Sequence, residues 1–206
     1  MVTSVCTEGI CIHSMDTSTQ AVMFSRASDE WETPQDLYDA LDQEFEFDID
    51  AAATARNAKC QDYYTLADDA LTQDWRTSEH ILHDEYADEN DERRFGSTSV
   101  WMNPPYSHCA EFVEKAHSQM AHGVTTVALL PSRTDTRWWH DHVWLNDTQS
   151  DTAPHGILTI GKGSVTPLHL PHRGVEVRFI RGRLRFSGAK HSAPFPSVIV
   201  VFYGRL

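Results

Sequence analysis

Apolar residues along this chain gather into short runs parted by polar stretches, and two of the runs read as buried strands. Val124-Thr125-Thr126-Val127-Ala128-Leu129-Leu130 is the clearer one, β-branched at its start and stopped by Pro131. Val100-Trp101-Met102 is shorter and leads straight into Asn103-Pro104-Pro105-Tyr106. From His108 to Met120 the period changes, and Phe112, Val113, Ala116 and Met120 form one face of a helix that Ser107 caps and Gly123 ends. Two strand–loop–helix units in succession predict parallel neighbours joined by right-handed crossovers.

Upstream, Trp31-Glu32-Thr33-Pro34 opens the fold. Thr33 suits a helix N-cap, Pro34 the first helical position and Asp36 the positive end of the dipole. Leu37, Tyr38, Leu41 and Phe45 then share a helical face. Phe47-Asp48-Ile49-Asp50 reads as a short buried strand breaking into Ala51-Ala52-Ala53, small residues that let a ligand approach the backbone. Asp50, at the strand end, either holds the ammonium of an amino-acid-like ligand or caps the next helix. Residues 54–75 lack a clear period, with Asn57, Asp69 and Asp74 in loops, where carboxylates either bind a ribose or an adenine amine or simply cap and solvate, and with Leu71 and Trp75 as anchors. A helix carrying Trp138, Trp139, His142 and Val143 is expected after the loop at Arg133, with both tryptophans read as core. Near the end, Val175–Ile180 and Arg183–Phe186 flank Arg181-Gly182 as an expected hairpin, and Val198–Tyr203 makes a last strand.

Length and composition fit one domain: 206 residues with 40% hydrophobic content. Residues 1–28 read as a loose tail, and 29–206 as the domain, with an acidic insertion at 76–97 and a long loop at 147–173 as the expected recognition element. No segment has the signature of a secretory leader or a membrane span, and the four scattered cysteines are expected as free thiols in a reducing cytoplasm. Neither Cys6, Cys11 and His13 nor the other histidines have metal-ligand spacing, so no metal is expected.

Charge changes the picture once the chain is divided. The net charge is −13, yet residues 153–206 carry eight Lys/Arg against one acid, leaving the first 152 residues at −20. A basic end on an acidic body suits a face that meets phosphates, although alternating arginines on a solvated strand give the same count.

The Asn103–Tyr106 loop carries the most chemistry. Pro104 and Pro105 preset two φ angles, and Pro104 drives Asn103 out of the α region. An amide oxygen, a proline carbonyl and a flat ring suit a planar amine such as the exocyclic NH2 of a nucleobase. Two acceptors on its hydrogens favour the pyramidal geometry that frees the nitrogen lone pair for attack. Tyr106 would stack on the base. An ordinary strand exit ended by prolines gives the same four residues.

Taken together, Trp31-x-Thr33-Pro34, Asp48-Ile49-Asp50-Ala51-Ala52-Ala53, Asp74-Trp75, Asn103-Pro-Pro-Tyr106, Leu130-Pro131-x-Arg133-Thr134-Asp135-Thr136 and Gly182-Arg183-Leu184-Arg185-Phe186 resemble the phage-encoded DNA N6-adenine methyltransferase (Dam-like) family, from about Trp31 to Phe202. The resemblance implies an α/β, Rossmann-like methyltransferase fold, with a mostly parallel sheet and an antiparallel C-terminal hairpin. It implies S-adenosylmethionine as cofactor and double-stranded DNA as partner, in the cytoplasm of a phage host. Asn103, Pro104, Pro105 and Tyr106 match the catalytic motif. Thr33, Pro34, Asp48, Asp50, Ala51 and Asp74 fall at cofactor positions, although the first cofactor motif lacks the usual glycines. Arg133, Arg178, Arg181, Arg183 and Arg185 are the candidates for DNA. The same loop also serves enzymes that methylate guanine in RNA or glutamine in protein. A DNA-binding protein that kept the fold and lost catalysis is the reading from another class.

Overall fold

The computed structural model describes residues 31–78, 98–144, 158–160, 163–165 and 174–204. The expected tail at 1–28, most of the acidic insertion at 76–97 and most of the 147–173 loop lie outside the described residues.

Helix α1 (Gln35–Phe45) leads into β1 (Ile49–Asp50) and β2 (Asp62–Tyr63). Strand β3 (Ser99–Met102), helix α2 (Cys109–Gln119) and strand β4 (Thr125–Pro131) follow. A two-stranded antiparallel ladder pairs β5 (Leu158–Ile160) with β6 (Gly163–Val165), and β7 (Val175–Phe179) and β8 (Ser197–Phe202) come last. Six strands form one mixed sheet in the order β2-β1-β3-β4-β8-β7. The pairs from β2 to β4 are parallel, whereas β8 runs antiparallel to both β4 and β7.

Every residue of β3 and of β8 is buried. Continuous apolar runs are what strands covered on both faces require, because neither face can be polar. Tyr38 of α1 meets Trp101 of β3 edge-on at 5.7 Å, and Phe112, Val113 and Ala116 of α2 are buried as their spacing predicts. Gly123 closes that helical segment at φ 75°, the left-handed conformation that glycine adopts without Cβ strain. Trp139 is buried in a π-helical turn, Trp139–Val143, where the Trp144 N–H reaches back to the Trp139 carbonyl at 2.8 Å.

Three local expectations are corrected. Pro34 rather than Thr33 occupies the N-cap of α1, and no side chain caps it. The Thr33 hydroxyl is taken by Asn103, a long-range partner that no local pattern reveals. Ser107 likewise does not cap α2; it lies inside a 3-10 turn, Tyr106–His108, and His108 is the N-cap. Arg183–Phe186 is not the second arm of a hairpin. Strand β7 pairs instead with β8, from Val175 opposite Phe202 to Phe179 opposite Val198. The β7–β8 connection uses Phe186, 2% exposed, to cover Trp31, with the rings 5.0 Å apart. Burial of that ring outweighs the alternation that suggested a strand.

Candidate active site

The chain leaves β1 for β2 on one side of the sheet and comes back to β3 on the other. A crevice therefore opens at the carboxyl ends of β1, β2 and β3, where the strand order reverses. Trp31, Glu32 and Thr33 line one wall. Asp50, Ala52, Ala53, Thr54, Asn57 and Lys59 come from the segment after β1, and Tyr64, Thr65, Leu66, Asp69, Ala70 and Leu71 from that after β2. Trp101, Asn103, Pro105, His108 and Phe112 complete a cavity of about 340 Å³.

Asn103 sits on the floor where β3 ends. Its Nδ2 donates to the main-chain carbonyl of Trp31 and to the Thr33 hydroxyl, the latter at 3.1 Å. Its Oδ1 is buried, and among the described residues none donates to it. A buried amide oxygen without a partner costs about 1–3 kcal/mol, which an arriving donor would relieve. Pro104 is buried and Pro105 exposed at φ −53°, with the Pro105 carbonyl accepting from His108 N–H at 2.8 Å.

Tyr106 is 8% exposed and lies beneath the loop rather than along the cavity wall. Its ring meets Phe195 at 5.3 Å and Phe186 at 6.4 Å, both edge-on. Burial drives its phenol well above the usual range, so it is neutral. Trp31, Tyr106, Phe186 and Phe195 thus make one aromatic cluster from three distant parts of the chain. The β7–β8 connection is tied further by Ser187, whose N–H donates to the Glu32 carbonyl at 2.9 Å and whose hydroxyl donates to the Thr33 carbonyl at 3.1 Å.

Asp50 is the buried charge of the cavity, 3% exposed. Burial raises its carboxyl to about 6, against two opposing hydrogen bonds from Lys59 N–H at 3.0 Å and Ala52 N–H at 3.2 Å. It does not cap a helix; the segment after β1 is a loop, and the side chain closes that loop.

Of the residues singled out in the sequence, the cavity therefore gathers Thr33, Asp50, Ala52, Ala53, Asn57, Asp69, Asn103 and Pro105. Pro34, Asp48, Ala51 and Pro104 are not among the residues that line it. Ala51 is fully buried, its N–H bonded to the Trp101 carbonyl, and the Asp48 carboxylate accepts from Ser99 N–H at 2.8 Å, on the far side of β1. Asp74 is also outside: Arg76 grips its carboxylate at 2.7 Å and holds it below the usual range. The carboxylate that faces the cavity from this loop is Asp69, in a left-handed conformation at φ 50°. Lys59, Tyr64, Leu66, His108 and Phe112 also line the cavity and carry no motif that points to them.

Among the arginines, Arg133, Arg181, Arg183 and Arg185 are exposed. Arg178 is not available to phosphates, because Glu44 and Glu176 take both edges of its guanidinium at 2.6–2.7 Å. Among the described residues no group of three or more His, Cys, Asp or Glu is placed to hold a metal, and no helix is long and apolar enough to cross a membrane.

A family model described as "DNA N-6-adenine-methyltransferase (Dam)" matches residues 20–151, more than half of the chain. The chain belongs to this family. It is 31% identical over 112 residues to the DNA N-6-adenine-methyltransferase of Escherichia phage T1, covering 54% of this chain and 39% of that protein. It is 32% identical over 114 residues to the DNA N-6-adenine-methyltransferase of Haemophilus phage HP1 (strain HP1c1), covering 54% of each. The chain thus spans about half the length, or less, of these curated relatives. The Dam match contains Trp31–Thr33, Asp50, Asp69 and Asn103 but stops before β7, so Phe186, Ser187 and Phe195 are contributed to the site from outside it.

Proposed function

We propose that this chain transfers a methyl group from S-adenosylmethionine to N6 of adenine in double-stranded DNA. The observation that carries the reading is the buried Asn103 Oδ1, which has no donor among the described residues and sits in the wall of a cavity at the strand ends. An exocyclic amine supplies the donor. With the Pro104 carbonyl accepting its second hydrogen, the nitrogen turns pyramidal and its lone pair becomes nucleophilic. The stabilisation exists only as charge develops, which is what lowers a barrier.

The residues present fit the cofactor. A cavity of about 340 Å³ falls in the usual range for small ligands. Its buried carboxylate, Asp50, suits an ammonium group, and Asp69 suits a ribose hydroxyl or an adenine amine. When bound, S-adenosylmethionine supplies an electrophilic methyl on a cationic sulfur. The strand order and the crevice at β1 and β3 support a Rossmann-like assignment of the sheet.

In a duplex N6 is stacked and paired, so the base must swing out to reach Asn103. Tyr106 packs edge-on against Phe186 and Phe195 and does not line the cavity, so stacking on the base requires its loop to shift. The exposed Arg133, Arg181, Arg183 and Arg185 would meet phosphates, the last three on the same connection that packs against the catalytic loop. The phage origin of both named relatives supports action on DNA in an infected cell's cytoplasm.

Radiolabelled S-adenosylmethionine and unmethylated DNA test the reading directly. Label in N6-methyl-2′-deoxyadenosine after nucleoside digestion is the expected result, and Asn103→Ala should lower turnover by about 10²-fold or more with cofactor binding intact. Near-normal turnover in that variant would remove Asn103 from the mechanism. Label in RNA or protein alone would redirect the substrate.

A further inference from the structure

An asparagine amide can sit in either of two orientations that differ by exchange of oxygen and nitrogen. Only one of them presents an acceptor to an incoming amine. At Asn103 the choice is made by a main-chain carbonyl on the segment before α1, and a neighbouring hydroxyl, which can bond either orientation, steadies it. The Trp31 main-chain carbonyl can only accept, and Asn103 Nδ2 donates to it. The Thr33 hydroxyl, 2% exposed, accepts from the same Nδ2 at 3.1 Å. Reversing the amide would set two oxygens against each other and bury two donors facing the substrate.

We propose that the Trp31 carbonyl and the Thr33 hydroxyl form an orientation lock that makes asparagine, not aspartate, obligatory at position 103. The inference rests on the proposed reaction and assigns Thr33 as a positioning residue for Asn103 rather than a cofactor contact. An aspartate there has two acceptor oxygens, one of which must face the Trp31 carbonyl. Neutralising that carboxyl restores a donor on the Trp31 side and an acceptor on the amine side. The lock is braced from behind. Ser187 holds the carbonyls of Glu32 and Thr33, while Phe186 and Phe195 hold the Trp31 ring.

Two near-isosteric variants and one rescue test it. Asn103→Asp should lose at least about 100-fold in turnover at pH 8 and regain activity relative to wild type as the pH falls. The titratable groups around position 103 are Glu32 before α1, Asp50 at the end of β1, Lys59 and Asp69 from the loops, and His108 and Tyr106 from the catalytic loop. All are shared with wild type, so the ratio of the two profiles reports the new carboxyl. An activity ratio that rises with pH, or an Asn103→Asp enzyme as active as wild type, overturns the lock.

Thr33→Val should lower kcat about tenfold with cofactor Kd within twofold, and Thr33→Ser should restore most of it. A raised Kd with unchanged kcat would make Thr33 a cofactor contact instead. A readout independent of turnover is the Asn103 side-chain NH2 resonance of the isotopically labelled protein. Slow exchange that becomes fast in Thr33→Val supports the lock, and fast exchange in wild type refutes it. Should wild type transfer no methyl at all, the proposed reaction fails, while this resonance still decides whether the lock exists.

Discussion

Arg178 reaches from β7 to the last turn of α1 and holds both carboxylate oxygens of Glu44 at 2.6 Å. Its other edge takes Glu176 at 2.7 Å, and its guanidinium lies 5.4 Å from the centre of the Phe45 ring. One arginine thereby fastens the first helix to the outer strand of the sheet. Its partners are half open to water, so the pair is worth about 1 kcal/mol rather than several. Arg178→Ala should lower the melting temperature by about 2–4 °C and leave DNA affinity within twofold. Replacing Arg181, Arg183 and Arg185 together should leave stability alone, weaken DNA binding and flatten its dependence on salt.

Arg178 also sets how the bridge responds to acid. Its hydrogen bonds hold Glu44 and Glu176 below their ordinary value of 4.5. The folded protein thus gives up these protons more readily than the unfolded chain. The stabilisation is complete above about pH 4.5 and fades as pH falls through the lowered folded values. Melting temperatures of wild type and Arg178→Ala should converge below that point, and a constant gap down to pH 3 would show that the arginine acts through packing on Phe45.

Asp50 behaves in the opposite sense. Burial lifts its carboxyl from 3.8 to about 6, so the folded protein keeps a proton that the unfolded chain releases. Its contribution to stability falls as pH rises from about 4 to about 6 and levels off above. A cationic ligand reverses the preference, because it binds the ionised form. S-adenosylmethionine affinity, followed by calorimetry, should climb as pH rises through about 6. In Asp50→Asn that slope should vanish and affinity drop about tenfold or more. An unchanged slope would place the ammonium elsewhere.

The loop after β2 offers a choice between two aspartates. Asp69 faces the cavity, whereas Asp74 is occupied by Arg76. Asp69→Ala should weaken cofactor binding about tenfold and Asp74→Ala by less than twofold. The reverse order would mean that Arg76 releases its partner when the cofactor arrives.

Gly204, just past β8, has no room for a side chain. A Cβ there would meet the Gly123 carbonyl carbon and oxygen at 2.4 Å and the Val124 nitrogen at 2.9 Å, all backbone. Gly204→Ala should therefore cost about 2 kcal/mol or more, seen as a large fall in melting temperature. Gly182→Ala serves as a control. It stands in open space at φ 84° and pays only conformational strain, about 1–2 kcal/mol.

What could be read in the sequence divides along the range of the interactions. The strand at 125–131, the apolar face of α2 and the strand-to-loop exit at Asn103 follow from periodicity and proline placement, which act over a few residues. Two of the misplaced features depend on partners far along the chain. Thr33 caps nothing because Asn103, at the end of β3, takes its hydroxyl. Val175–Phe179 pairs with β8 rather than with Arg183–Phe186, since Val198–Phe202 of β8 offers a continuous apolar partner and Phe186 has a ring cluster to cover. At Ser107, which falls inside a 3-10 turn, and in the loop after β2 the misreading is local. Asp74 resembles a ligand by motif, yet an arginine two residues on neutralises it. Asp69, readable in the sequence only as one of several loop carboxylates, lines the cavity from a left-handed backbone turn.

Strand β8 is buried along its whole length and lies between β4 and β7, so its late position in the chain governs how the protein can be made. While a ribosome is still producing residues 180–196, β4 is already out with one side of its backbone unpaired, and the apolar side chains meant for β8 have nothing to cover them. The sheet closes only when Ser197–Phe202 emerges and slots in beside β4. Such distant pairing is slow, and the waiting strand is open to other chains in the meantime. Yield from a rapid expression host should therefore improve when translation is slowed or chaperones are raised, even though nothing about the finished fold changes.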